Sequence, residues 1–126
     1  DTGYTKKERD QLFLKTYGFV KFCDNQNLNV IVSIIKFSRI IEKKIKKDFK
    51  NSYLIYLNSK IETLIHFDKK KIYKSNLSKK RPSIVGYDIK WENPKKPNLE
   101  LKDFFLMDRK KVKEIIDNKL KKKLKF

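Results

Sequence analysis

Thirty-three Lys and Arg stand against only fifteen Asp and Glu in 126 residues, a formal charge of +18. No other feature constrains this chain as strongly. About one net positive charge per seven residues makes a small folded domain self-repulsive unless an anion neutralises it. Nucleic acid is the usual polyanion, and each neutralised phosphate releases counterions. Lys supplies 29 of the 33 cations. A lysine meets phosphate as a point charge with little geometric selectivity, so the pattern predicts binding to a phosphate backbone rather than base readout. Ala is absent, while Lys, Ile and Asn together exceed 50 residues. A coding bias accounts for some of the Lys, but not for the shortage of acids.

The aromatic content, nine Phe and six Tyr, excludes a wholly disordered basic tail. No apolar run reaches the 18 residues of a membrane span, since the longest, Val30 to Ile35, is broken by Ser33. The single Cys excludes an internal disulfide and a Cys-based zinc site. The chain opens on Asp1 rather than Met, consistent with removal of a start or targeting segment, and no signal peptide is legible in what remains.

Thr5-Lys6-Lys7-Glu8 is a capping-box pattern ahead of Leu12, Phe13 and Leu14, predicting a short N-terminal helix that breaks near Gly18. Alternation through Tyr17–Cys23 predicts a strand, and Asp24–Asn27 a polar turn. Apolar residues from Val30 to Phe49 recur at spacings of three and four, predicting a long helix over Leu28–Phe49. The apolar run Tyr53–Leu57 reads as a central buried strand. Ile61–Phe67 and Lys71–Lys74, joined by Asp68-Lys69-Lys70, read as a hairpin. Ser75–Arg81 is a basic loop, and Pro82–Trp91 a strand or extended arm. Asn93–Asn98 is a Pro/Lys linker, and Leu99–Met107 has no clear assignment. Asp108 caps a last helix with Val112, Ile115, Ile116, Leu120 and Leu124 on one stripe. The order predicts an α/β sandwich, a βαβ unit plus hairpin. It divides as an N-terminal extension over 1–16, an α/β domain over 17–78, and a basic extension over 79–126.

Catalytic signals are sparse. His66 is the only His and lies inside an apolar pattern, where a packed side chain is the usual outcome. Cys23 lacks the second Cys of a Cys-x-x-Cys redox motif. Gly3, Gly18 and Gly86 are isolated, so the 126 residues contain no phosphate-cradling glycine loop. The reading is of a protein that is not an enzyme, with no cofactor and no metal. The basic clusters carry the expected RNA contacts: Lys43, Lys44 and Lys47; Lys69 and Lys70; Lys79, Lys80 and Arg81; Lys95 and Lys96; Arg109, Lys110 and Lys111; Lys121, Lys122 and Lys123. A basic amphipathic terminal helix could also lie on an anionic membrane, but the bulky anchors are few.

A strand ending in Phe22-Cys23, a polar turn, a long helix, an apolar strand and a hairpin follow in order. That order resembles the thioredoxin-like domain shared by several mitochondrial ribosomal proteins and a small accessory subunit of respiratory complex I. Phe19-Val20-Lys21-Phe22-Cys23 is similar to the family's first strand. Lys46-Lys47-Asp48-Phe49-Lys50-Asn51 running into Leu54-Ile55-Tyr56-Leu57-Asn58-Ser59-Lys60 is similar to its second. Pro82-Ser83-Ile84-Val85-Gly86 resembles a short motif of a large-subunit member. The resemblance covers residues 17 to about 75, and the family's second helix after the hairpin is missing. It implies a small thioredoxin-like sandwich with a basic extended arm and terminal helix, serving as a non-catalytic structural protein of the mitochondrial large ribosomal subunit in the matrix. The expected partners are rRNA and neighbouring ribosomal proteins, with no small-molecule substrate and no membrane span. The alternatives are a non-catalytic respiratory-complex subunit, a redox enzyme using Cys23, and a free-standing nucleic-acid-binding factor.

Overall fold

Thr5 begins the first helix by accepting the Glu8 backbone N–H (3.3 Å), and the Glu8 carboxylate accepts the Thr5 backbone N–H in return (2.9 Å). The computed structural model describes residues 5–35, 38–73, 84–86 and 89–124. These fall into two compact units, the described parts of Asp1–Ser52 with Arg81–Lys95, and of Tyr53–Lys80 with Lys96–Phe126.

In the first unit, helix α1 spans Lys6–Asn25. The strand expected at Tyr17–Cys23 is therefore the second half of a helix. Phe13, Tyr17, Val20 and Cys23 share one stripe at three- and four-residue spacing, and Cys23 is buried at 5% exposure. That longer period prevails over a seven-residue alternation. Gly18 does not interrupt α1, and a Cβ there would meet nothing within 4 Å. The helix ends in a Schellman arrangement. Asn27 takes a left-handed φ of 57°, its N–H reaches the Asp24 carbonyl (3.0 Å), and the Leu28 N–H reaches the Cys23 carbonyl (3.0 Å).

The long helix expected over Leu28–Phe49 is also corrected. Helix α2 covers only Arg39–Asp48, capped by the Ser38 hydroxyl, which accepts the Ile41 N–H (3.3 Å). The β-branched run Val30-Ile31-Val32 favours extended backbone, and 28–34 has no helical structure. Ile41 and Phe49 are buried, and the Tyr17 ring meets Phe49 edge-on at 5.4 Å. The Tyr17 hydroxyl donates to the Asp48 carboxylate, which also receives the Lys44 ammonium (3.3 Å). That ammonium lies 4.3 Å from the centre of the Tyr17 ring. This cluster joins α1 to α2.

A second set of contacts fastens the later segment of the same unit onto α2. The Glu92 carboxylate accepts the Arg39 N–H (2.9 Å), and the buried Glu42 accepts the Lys95 N–H (2.9 Å) and the Lys46 ammonium (2.6 Å). Gly86, at φ 89°, donates to the Ile89 carbonyl (2.8 Å).

The second unit holds a two-stranded parallel sheet, so the molecule is mixed α/β. Strand β1 is Ile55–Asn58, overlapping the expected apolar run, but it is half-buried to exposed rather than central and buried, because the sheet has two strands among the described residues; its partner β2 is Leu99–Lys102, in register Ile55↔Leu99 to Asn58↔Lys102. The start of the pair is fixed by Asn98, whose side-chain carbonyl accepts the Leu54 N–H (2.7 Å). The hairpin expected from Ile61 is replaced by helix α3, Ile61–His66, and β1 pairs with a distant strand instead of the next segment. A 3-10 turn, Phe104–Leu106, follows β2. Helix α4, Arg109–Leu124, is the terminal helix expected, with the Asp108 carboxylate accepting the N–H of Lys110 and Lys111 (2.9 and 3.1 Å). Leu101 and Val112 are the buried apolar residues of this unit among those described. The expected loop over Ser75–Arg81 lies outside the described residues.

Candidate functional site

Parallel strands end at the same edge of a sheet, and in α/β proteins ligands bind outside those carboxyl ends. Asn58 and Lys102 close the two strands here. The Asn58 amide donates to the Glu100 carboxylate (2.7 Å) and its carbonyl accepts the Tyr56 hydroxyl (3.3 Å), so both polar ends of Asn58 are fixed. The next residue, Ser59, has a buried hydroxyl oxygen without a hydrogen-bond partner among the described residues. Lys60 and Lys102 are exposed at the same edge.

Helix α3 leads away from this edge into a second feature. Asp68 follows the helix and closes a tight loop on itself. Its carboxylate accepts the N–H groups of Ile72 (3.0 Å) and Tyr73 (2.8 Å), and its carbonyl accepts that of Lys71 (3.1 Å). Between these anchors Lys69, Lys70 and Lys71 are all exposed. Burial, and secondarily the charge of Asp68, raises the Tyr73 phenol above its ordinary value, so it stays protonated. Phe67 stacks on Phe105 with ring centres 5.9 Å apart and planes 20° apart. That stack ties the base of the lysine loop to the turn following β2.

The chemistry available is electrostatic. Asp68 is occupied by backbone donors and is not free to act as a base. His66 is exposed at the end of α3, edge-on to Phe67 (5.0 Å), rather than packed within a strand. Among the described residues no three His, Cys, Asp or Glu side chains group so as to hold a metal ion. What the loop presents is three ammonium groups on a fixed backbone, an arrangement that suits phosphate oxygens.

The cations expected from sequence are divided between the units. In the first, Lys43 and Lys47 are exposed on α2 and Lys95 is exposed beside it, while Lys44 is spent on Tyr17 and Asp48. Hydrogen bonds to Tyr17 and then Asp48 raise the Lys44 ammonium above its ordinary value. In the second, Lys69, Lys70, Lys96, Arg109, Lys110, Lys111, Lys121 and Lys122 are exposed, and Lys123 lies in α4. Lys79, Lys80 and Arg81 lie outside the described residues. Of all these, only Lys69 and Lys70 fall in the closed loop. Lys71 belongs to the same run of lysines as Lys69 and Lys70; sequence reading missed Lys60, Lys102 and the anchoring role of the Asp68 carboxylate, because only backbone geometry brings them out.

Comparison with known proteins replaces the ribosomal expectation. The family model for Adenylylsulphate kinase matches residues 1–102. Cytidine diphosphoramidate kinase of Campylobacter jejuni is 34% identical over 92 residues, covering 73% of this chain and 54% of that protein. A "Probable adenylyl-sulfate kinase" of Pseudomonas aeruginosa is 24% identical over 102 residues, covering 81% and 48%. The chain thus spans about half the length of the curated relatives it matches. No solved structure matches. The thioredoxin-like resemblance rested on short motifs such as Phe22-Cys23, placed on a strand that is in fact helix α1, and the match over 102 residues overrides it. The ribosomal, rRNA-binding and non-enzymatic expectations fall with it, as does the expected absence of a small-molecule substrate, since both relatives are named as kinases of small molecules, cytidine diphosphoramidate and adenylyl sulfate. By the extent of these matches, the chain belongs to the adenylylsulphate kinase family.

Proposed function

We propose that this chain is part of a kinase that moves the terminal phosphoryl group of a nucleoside triphosphate onto a hydroxyl of a second nucleotide. One observation carries the reading: the family match extends through residues 1–102, which include both strands of the sheet and the Asp68 loop. The names of the two relatives support a substrate class. Cytidine diphosphoramidate and adenylyl sulfate are each a nucleotide whose phosphate bears a further, non-nucleotide group.

In the proposed step the acceptor hydroxyl oxygen bonds to the terminal phosphorus. The bond from that phosphorus to the bridging oxygen breaks, a nucleoside diphosphate leaves, and the hydroxyl proton is lost. Such transfers depend almost entirely on positioning and on neutralising the charge of the phosphoryl oxygens. The ammonium groups of Lys69, Lys70 and Lys71 are suited to the second task, and the carboxyl edge beside Asn58 and Lys102 to the first. Because the chain spans about half the length of the curated relatives it matches, the assay uses the protein at its full natural length. Incubated with γ-labelled ATP and either cytidine diphosphoramidate or adenylyl sulfate, it is expected to label one acceptor and release ADP stoichiometrically. Labelling of neither, with unlabelled nucleoside monophosphates and diphosphates also inert, would rule the reading out.

A further inference from the structure

Leu106 is 66% exposed and Phe105 47%, side by side on the 3-10 turn that links β2 to α4. The turn needs neither side chain. It is set by the left-handed Asp103 (φ 49°) and by two backbone bonds, from the Leu106 N–H to the Asp103 carbonyl (2.8 Å) and from the Met107 N–H to the Phe104 carbonyl (3.1 Å). A single exposed apolar residue is ordinary. Here Phe105 also stacks on the partly exposed Phe67, so three large apolar side chains lie together at the surface of the second unit.

The charge follows at once. Arg109, Lys110 and Lys111 open α4, all exposed, and none forms an ion pair among the described residues. Cations there face the positive end of the helix macrodipole, which costs stability. Along its length α4 carries eight Lys and Arg against two acids, Glu114 and Asp117, and Asp117 is taken up by Lys113. The helix is seated by its apolar stripe, buried at Val112 and half-buried at Ile115, Ile116 and Leu120. Neither the cations nor the exposed Phe–Leu pair serves that packing.

A small phosphorylated ligand would engage the cations and leave the apolar pair unused. An anionic bilayer engages both, because apolar side chains enter at headgroup level while flanking cations meet the lipid phosphates. The terminal helix alone lacks bulky anchors, and the turn before it supplies them. We propose that the Phe105–Leu106 turn and the first turn of α4 form a docking surface for an anionic lipid bilayer. The protein would lie on that bilayer, since no helix among the described residues is long and apolar enough to cross it. The inference is independent of the kinase reading, because phosphoryl transfer between dissolved nucleotides neither needs nor forbids it.

The test mixes the protein at its full natural length with phosphatidylcholine vesicles, with or without phosphatidylglycerol, and reads bound protein by flotation. Wild type is expected to float with the anionic vesicles only, and less so as salt is raised. Gln at Arg109, Lys110 and Lys111 together should weaken binding roughly hundredfold, and Leu106→Ser about tenfold. Both variants should melt with wild type, since the replaced side chains are exposed. In Leu106→Trp, indole emission should move to the blue when anionic vesicles are added, beyond any change that Trp91 shows in wild type. Gln at Lys43, Lys47 and Lys50, three exposed cations of the other unit, controls for diffuse charge and should have a much smaller effect. A control loss equal to that of the α4 variant overturns the proposal, since the charge would then act at large. So does full binding by Leu106→Ser without a shift in Leu106→Trp, which would leave the apolar turn no part in docking. Displacement by inorganic pyrophosphate at constant ionic strength would mark a site for dissolved phosphate and also overturns it. A wild type that ignores vesicles, whether or not it binds an RNA duplex, refutes it outright, and the phosphoryl-transfer assay then stands or falls separately.

Discussion

Gly18 lies mid-helix with open space where a side chain would stand. Glycine there costs conformational entropy and contributes no contact. Gly18→Ala is expected to stabilise the protein by about 0.5–1 kcal/mol, read as a higher urea midpoint at unchanged slope. Asp48 is the opposite kind of residue, one whose ionisation state matters. The hydrogen bond from Tyr17, then the one from Lys44, lowers its carboxyl below the ordinary value. A carboxyl lowered in the folded state stabilises above the unfolded value, about pH 4, and loses that contribution as pH falls through the lowered folded value. The urea midpoint of wild type should therefore exceed that of Asp48→Asn at pH 6, and the gap should narrow toward pH 3. A gap independent of pH would mean that Asp48 acts by shape and not by charge.

At the scale of elements, α2 and the segment ending at Lys95 are held together by two carboxylates, Glu42 and Glu92, each accepting a backbone N–H from the other element. Glu42 is 6% exposed, and removing it takes away the acceptor of the Lys95 amide. Glu42→Ala is expected to destabilise by about 1–3 kcal/mol and to speed hydrogen exchange at the Lys95 amide. The local signals were legible wherever neighbouring residues sufficed: the Thr5/Glu8 capping box, the Asp108 cap of α4, and the extended backbone, though not the burial, of the apolar run that β1 overlaps. Misreadings occurred where the deciding partner was distant or the window short. Seven alternating residues at Tyr17–Cys23 imitated a strand, although Phe13, outside that window, belongs to the same helical stripe. β1 was given a neighbouring hairpin because nothing local marks Leu99–Lys102 as its partner. In the site, charge alone revealed Lys69 and Lys70. Lys71 belongs to the same run of charge, but no residue type announces its left-handed backbone angle. The kinase character has no short motif in the 126 residues, and its signal is spread thinly over 102 of them.

For the molecule as a whole, the charge of +18 remains the dominant physical fact, and the ligand proposed for it is now a nucleotide. A nucleotide with a substituted phosphate is a polyvalent anion, far smaller than an RNA. Most of the lysines therefore remain solvated, repelling one another at low ionic strength. Thermal stability is expected to rise as sodium chloride goes from about 20 to 300 mM, because screening weakens that repulsion. Melting curves across the series check this, and a flat or falling trend would show that the Lys-rich surface is already neutralised within the protein. Helix α4 adds to the charge from outside the family match, with Arg109, Lys110 and Lys111 at its first turn. Cations at that end oppose the helix macrodipole, and Asp108 is the nearby acid that offsets them.

The parallel pairing of β1 and β2 also has a consequence in time. Leu54 and its partner Asn98 are 44 positions apart, and a parallel partner cannot be supplied by a tight turn. At ordinary synthesis rates β1 leaves the translation machinery roughly 2–9 s before β2 exists. Throughout that interval its backbone donors and acceptors face water or any other strand nearby. The newborn chain thus carries an open edge that only its own later residues can close, and its yield in a cell depends on what meets that edge first.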